Sequence, residues 1–413
     1  MKPCEVGILG GGQLARMLAE SALRLGLKPI VFTDDADGPA SEICVETVVG
    51  KISDADQLKS FVARVPLIAF ENEFVDCSKL RAATSAPDSK FFPSLKAIEI
   101  LQDKLEQKKL LKRVGIATSP FVELKTGANA SQEIASALKQ LASDTVLKWS
   151  RQGYDGKGVK VVHAGKADDL AAAIPFVESA WSRGIPVYAE KKVDFIRELA
   201  IIACVAVRND ACVAVRGESV TYPLVISEQE NGICKEVVGP AIHLGVPAKF
   251  QDQAQEAARK IAHEVGLVGS FGIEFFESRS GELLVNEIAP RVHNTGHYTQ
   301  NAFPVSQFEN HWRAILGLPL FDPLKHPAAA APFFAMLNLL GPAGISCESS
   351  KASLPIAGPH SQLHWYGKKD IRPGRKLGHL NGTADSAEGL AELLKELNSC
   401  EKQWIEALNM RKD

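Results

Sequence analysis

Four stretches of this 413-residue chain place chemistry-bearing side chains at informative spacings. In "LKWSRQGYDGKGVK", from Leu147 to Lys160, Gly153, Gly156 and Gly158 crowd together between Lys148 and Lys157. The backbone N–H groups of such a loop can turn toward a phosphate, and the lysines add positive charge. Both flanks read as strand, and the G-x-x-x-x-G-K-[ST] spacing is absent, so alone the stretch fits a nucleotide cradle and a tight hairpin equally well. In "FGIEFFESRSGELLVNEIAPR", from Phe271 to Arg291, Ser280-Gly281 reads as a two-residue turn with Glu274 and Glu287 equidistant on either side. That spacing predicts the two carboxylates opposite each other on one face, where they repel unless they share a proton or bind a cation. With Asn286 adjacent and every ligand an oxygen, magnesium is the expected ion. A solvated sheet face is the plain alternative, disfavoured because Phe275, Leu283 and Val285 leave it few polar companions.

Lys368, Lys369, Arg372, Arg375 and Lys376 crowd one Gly- and Pro-bearing connection, enough to clamp a phosphomonoester through charge-assisted hydrogen bonds. By composition alone a solvated basic loop fits as well. Finally, "GILGGGQLARM" opens the chain with Gly10, Gly12 and Ala15 in the G-x-G-x-x-[G/A] pattern, and Asp34 and Asp35 follow a second strand. Taken by itself, this points to a nicotinamide dinucleotide on a helix N-terminus, with an acid on its ribose. His293 and His297 are four apart, but Gly296 argues against the helix a zinc pair needs.

The elements that must hold these groups are those of an α/β protein. Short strands (6 to 9, 29 to 33, 67 to 70) alternate with helical stretches up to residue 97, which predicts a parallel sheet. One amphipathic helix is expected over 94 to 113, then strands at 145 to 149 and 159 to 163 and a helix at 167 to 182. Further strands are expected at 199 to 208, 211 to 215 and 271 to 276, with a helix at 251 to 266. The tail adds a strand at 363 to 366 and a last helix at 387 to 408. Four units are expected: 1-97, 98-190, 191-319 and 320-413. A net charge of −2 excludes a global field for nucleic acid or an anionic membrane. Eight scattered cysteines suit reduced thiols. The apolar run 328 to 340 is too short to span a bilayer, and Met1 leads directly into a strand, so a cytoplasmic protein without a secretory leader is expected.

A lysine strand and glycine loop followed by a carboxylate hairpin resemble the ATP-grasp fold. "GGGQLARM", "QGYDGKG", "NEIAPRVHNTGHYTQN" and "LHWYGKKDIRPGRKLGHLN" are, further, similar to the N5-carboxyaminoimidazole ribonucleotide synthetase family, over nearly the whole chain. The resemblance implies an N-terminal Rossmann-like domain, a small C-terminal domain and an ATP-dependent carboxylating ligase of purine biosynthesis. It implies ATP, magnesium and bicarbonate, aminoimidazole ribonucleotide as acceptor, and a homodimer. Lys104, Lys148 and the loop of Gly153, Tyr154, Asp155, Gly156, Lys157 and Gly158 would meet the phosphates. Glu190, Lys191 and Val193 would form the adenine hinge, Glu198 would take the ribose, and Gln229 would complete the nucleotide site. Glu274 and Glu287 would carry magnesium, with Asn286 beside them. Arg291 would stabilise bicarbonate and carboxyphosphate. Tyr154, Asp155, His293 and Asn294 would line the amine side, with Asp155 handling its proton. Gly12, Gln13, Lys368, Arg375 and Lys376 would hold the ribonucleotide and its phosphate. Three departures stand out: Lys104 replaces the family's Arg, Gln229 its His, and Ala15 the third glycine. The rival readings are the formate-dependent glycinamide ribonucleotide transformylase, a nicotinamide dehydrogenase, and a nucleotide-binding regulator without catalysis.

Overall fold

The computed structural model describes residues 4–84, 88–153, 158–210, 213–326, 332–349 and 353–410. Three sheets carry the structure. The first is parallel, in spatial order Glu46–Val49, Lys28–Thr33, Glu5–Leu9, Ile68–Phe70 and Phe91–Phe92. From Glu5–Leu9 the chain first adds strands on one side and later on the other. The crevice at their C-terminal ends therefore opens beside Gly10 to Gly12 and Glu71, the usual ligand position of an open α/β sheet. The helix Gln13–Arg24 buries Leu14, Ala15, Met17, Leu18 and Ala22 against this sheet, following the periodicity of the sequence.

The second sheet is antiparallel, in the order Phe121–Glu123, Val187–Lys191, Thr145–Trp149 and Val159–Val162. Strand alternation sends Thr145 and Leu147 into the core beneath the helices Ala130–Leu141 and Ala167–Trp181, and sends Val146 and Lys148 toward a cleft. The third sheet has nine strands and contains both the acidic hairpin and the C-terminal strands Phe333–Leu340, Ser361–Trp365 and Lys376–Ala384. Helix Lys249–Val265 covers part of it with Phe250, Ala254, Ala258, Ile261 and Val265, and helix Ala387–Asn409 covers the C-terminal strands with Leu390, Leu393, Leu397 and Trp404. Among the described residues, no helix is long and apolar enough to cross a membrane.

Two local expectations are corrected. The helix expected over 94 to 113 is two helices, Leu95–Leu101 and Lys104–Arg113. The Asp103 carboxylate accepts from the N–H groups of Leu105 (3.0 Å) and Glu106 (3.2 Å), capping a new helix where the periodicity alone would have continued the old one. The hairpin turn is also wider than two residues: the Ser278 N–H meets the Glu282 carbonyl at 2.9 Å, and Gly281 sits at φ +79°.

Gly269 combines a φ of +102° with a close approach, since a Cβ there would lie 2.8 Å from the His311 ring. His311, on helix Gln307–Ile315, is buried, and its Nδ1 accepts from the Ser270 N–H at 3.1 Å. Burial lowers its pKa from 6.5 to about 4. The unfolded chain therefore binds the proton first, and the stability contributed by neutral His311 is complete above pH 6.5 and lost as pH falls toward 4. The destabilisation caused by His311→Gln should shrink by about 2 kcal/mol between pH 7.5 and pH 5 in urea unfolding, at 1.36 kcal/mol per pKa unit. A pH-independent difference would remove the assignment.

Candidate active site

A cleft of about 760 Å3 opens between the second and third sheets and reaches the crevice of the first. Lys104, Lys148, Gly153, Glu190, Lys191, Val193, Glu198, Gln229, Glu274, Asn286, Glu287, Arg291, His293, Asn294, Gln13 and Lys376 line it, so residues up to 363 positions apart in sequence share one wall. Tyr154, Asp155, Gly156 and Lys157 lie outside the described residues. Gly158 closes the loop they belong to: its carbonyl accepts from the Trp149 N–H at 2.9 Å, and a Cβ on it would lie 3.0 Å from the Trp149 ring.

Glu274 and Glu287 pair across the hairpin as expected, by two deviations that cancel. The wider turn sets Glu277 against Leu283 and Phe275 against Val285, a register that would oppose Glu274 to Asn286. A bulge after Val285 shifts it by one, so Asn286 and Glu287 both line the cleft. Burial pushes the Glu274 carboxyl up, and the neighbouring charges of Glu287 and Glu198 push it further. Lys104 offsets part of this repulsion, its Nζ lying 2.6 Å from Glu287 Oε2. Lys104 opens the helix that Asp103 caps, and its own N–H donates to the Ser150 carbonyl at 2.7 Å. Arg151 binds Asp103 at 2.8 Å, so the cap, the lysine and the strand leading to the glycine loop form one joint. Two facing carboxylates with an amide oxygen suit a hard divalent cation, and the donor set fits magnesium.

Behind them, Lys148 donates to Asn286 Oδ1 at 3.1 Å and pairs with Glu190. Against the burial that raises it, the ammonium groups of Lys148 and Lys108 hold the Glu190 carboxyl down at about 2. At the hinge, the N–H groups of Lys191 and Lys192 are engaged by the Pro120 and Asp144 carbonyls at 2.8 and 2.9 Å, and the chain turns toward Val193. Gln229 donates to Ser227 Oγ at 3.1 Å and lies beside Glu198.

On the other side, Arg291 makes a two-pronged contact with Glu73, and burial followed by the charges of Arg291 and Lys376 lowers the His293 pKa to about 3. A neutral imidazole therefore faces the cleft, held by Thr295 Oγ1 at 2.8 Å and with Glu274 3.7 Å away. His297 points elsewhere, packing 4.7 Å from the His379 ring. Asn294 is buried in the cleft wall.

Gly12 differs from expectation. Its N–H donates to Glu71 Oε2 at 2.7 Å, and a Cβ on Gly12 would lie 2.1 Å from Glu71 Oε1. The helix N-terminus that looked open to a phosphate is filled by a carboxylate from the neighbouring strand, so a dinucleotide pyrophosphate would meet like charge there. Gln13 instead accepts from Lys368, which brings the basic connection to the first domain. Arg375 is paired with Asp370, and Lys369 with Asp37 at 2.6 Å; of the basic cluster, Lys376 lines the cleft.

Comparison with known proteins places the three regions together. Residues 1–102 match a ribonucleotide synthetase preATP-grasp domain, 109–308 an ATP-grasp domain, and 335–393 a phosphoribosylaminoimidazole carboxylase C-terminal domain. The N5-carboxyaminoimidazole ribonucleotide synthase of Synechococcus elongatus is 37% identical, over 97% of this chain and 95% of that one. The chain belongs to the N5-carboxyaminoimidazole ribonucleotide synthase family. The Mycobacterium bovis synthase is 34% identical, over 94% and 85% of the two chains. The Aspergillus clavatus synthase complexed with ATP aligns with a TM-score of 0.82 at 32% identity, covering 98% and 99%. The complex of the enzyme from that organism with ADP and 5-aminoimidazole ribonucleotide aligns at 0.81 and 31%, covering 97% and 99%. The fold is thus ATP-grasp, with an N-terminal parallel-sheet domain and a C-terminal domain typical of the family. The transformylase reading is not favoured.

What the sequence reading missed is Glu71, Glu73 and Lys108. The run "FENEF" from 70 to 74 does hold two acids just past an apolar strand, a signal at the crevice of an open sheet. Because Arg291 and Glu73 are a largely buried pair, Arg291→Met should destabilise the protein by about 3 kcal/mol. Arg291→Met with Glu73→Gln should cost less than the sum of the two single changes. Additive losses would show that the pair is not coupled.

Proposed function

We propose that this chain uses ATP to carboxylate the 5-amino group of aminoimidazole ribonucleotide, forming N5-carboxyaminoimidazole ribonucleotide, ADP and phosphate in purine biosynthesis. The observation that carries the reading is one cleft holding Lys104 and Lys148 for phosphates, facing carboxylates for a cation, and Arg291, His293 and Lys376 on the opposite wall. Relatives solved with ATP, and with ADP and the ribonucleotide, support it. The enzyme is proposed to act as a cytoplasmic homodimer.

In this reading, an oxygen of bicarbonate attacks the γ-phosphorus and the bond to the β-phosphate oxygen breaks, releasing ADP and leaving carboxyphosphate. The amine then attacks the carboxyl carbon, either of carboxyphosphate or of the carbon dioxide it releases. Phosphate departs, and the amine loses one proton, for which Asp155 is the proposed acceptor. Phosphoryl transfer is governed by positioning and charge neutralisation, which is what the lysines supply. Magnesium, held by Glu274 and Glu287 beside Asn286, would neutralise phosphate charge. The adenine would rest at Glu190, Lys191 and Val193, with its ribose at Glu198 and Gln229. Arg291 would hold bicarbonate, and its guanidinium is kept in place by Glu73. Neutral His293 and the Asn294 amide can orient an uncharged amine without repelling it. Gln13, Lys368, Arg375 and Lys376 would hold the ribonucleotide phosphate.

ADP release from purified protein with magnesium, ATP and bicarbonate should depend on aminoimidazole ribonucleotide. Release that instead required glycinamide ribonucleotide and formate would favour the transformylase, silence with both acceptors a regulator, and fluorescence changes with a nicotinamide cofactor the dehydrogenase. Glu287→Ala should lower magnesium-dependent turnover by about a hundredfold or more, on the scale of losing a group that stabilises transition-state charge. Unchanged turnover would end the metal assignment.

A further inference from the structure

Lys108 does not touch the cleft, yet it is the most buried charged group behind it, with 1% of its surface exposed. Its ammonium has three donors and three partners: Thr118 Oγ1 at 2.7 Å, Ser119 Oγ at 3.0 Å and Glu190 Oε2 at 2.8 Å. Thr118 in turn donates to the Val285 carbonyl at 2.6 Å, and Ser119 to Glu190 Oε2 at 2.7 Å. The ammonium therefore joins the helix Lys104–Arg113, the hinge strand Val187–Lys191 and the strand that carries Asn286 and Glu287. Glu190 uses its other oxygen for Lys148. One carboxylate is thus shared by two ammonium groups, of which only Lys148 lines the cleft.

We propose that Lys108 is a positioning residue for nucleotide binding: it neutralises Glu190 from behind, so that Lys148 keeps its charge for the phosphates. A lysine–glutamate pair without Lys108 would be electrically closed on itself. With Lys108, the triad carries one net positive charge, displayed through Lys148 at the phosphate side. The other charges near this group are Glu287, which lies across the cleft and is itself paired with Lys104, and the Glu198 carboxylate on the cleft wall. Burial works to lower the pKa of Lys108, and Glu190 opposes that effect.

The inference rests on the ATP reading, and the test separates the two. Calorimetric titration of the purified full chain with adenosine, ADP and the non-hydrolysable analogue AMPPNP, with magnesium, measures how affinity depends on phosphates. Lys108→Gln keeps a polar partner for Thr118 and Ser119 and removes only the charge. It should weaken AMPPNP and ADP by about tenfold or more, the scale of one charge-assisted hydrogen bond, and leave adenosine within about twofold. Lys108→Gln with Glu190→Gln, which frees Lys148 again, should recover AMPPNP affinity relative to Lys108→Gln alone. Equal losses for adenosine and AMPPNP, no loss at all, or no recovery in the double variant would each overturn the role of Lys108. Wild-type protein that failed to bind AMPPNP would overturn the ATP reading itself.

Discussion

Glu274 and Glu287 face each other across one antiparallel pair at a depth where neither is fully hydrated, and most of the surrounding structure answers that repulsion. Lys104 reaches Glu287 because Asp103 starts a helix at that point and because Ser150 holds the lysine's backbone. Lys148 reaches Asn286 because a bulge turns two consecutive side chains to the same side. Arg291 and His293 follow on the same chain segment, one paired with Glu73 and the other kept neutral by burial and by its cationic neighbours. Removing any one of these partners leaves a charge in a poorly solvated place, so the cleft is organised as a connected network.

The same logic of compensation runs through the N-terminal crevice. A helix N-terminus attracts anions, and in this chain the anion is internal. Glu71 is fully enclosed: burial raises its pKa, while the N–H groups of Gly12 and Leu14 and the charges of Lys368 and Arg291 counter that rise. Gly10 and Gly12 are glycines because the carboxylate leaves no room for a Cβ, which is the same stereochemical demand that a bound pyrophosphate makes. Sequence patterns record the demand for space, not the identity of the group that fills it.

Strand content and helix faces were largely legible. Thr145–Trp149 falls where alternation put it, and the helices Ala167–Trp181 and Lys249–Val265 begin and end within two residues of the expected positions. The opposition of Glu274 and Glu287 was legible too, although a two-residue turn was the wrong route to it. Less legible were the features set by local competition: the Asp103 cap inside an otherwise continuous periodicity, the bulge, and the strands at 225 to 239, whose polar residues blur the alternation.

By itself the sequence determined which chemistry was available: a lysine strand with a glycine loop, a carboxylate hairpin, a basic connection, and the motif wording that ties them to one family. Those properties reside in residue type and in short spacings, which survive any particular packing. Only the tertiary structure decided which charges meet. Lys108 with Glu190, Glu71 with Gly12, and Glu73 with Arg291 are separated by 59 to 218 positions and are joined by buried contacts that no local pattern encodes. Burial makes those meetings obligatory, because a charge withdrawn from water must find its partner wherever the fold brings one.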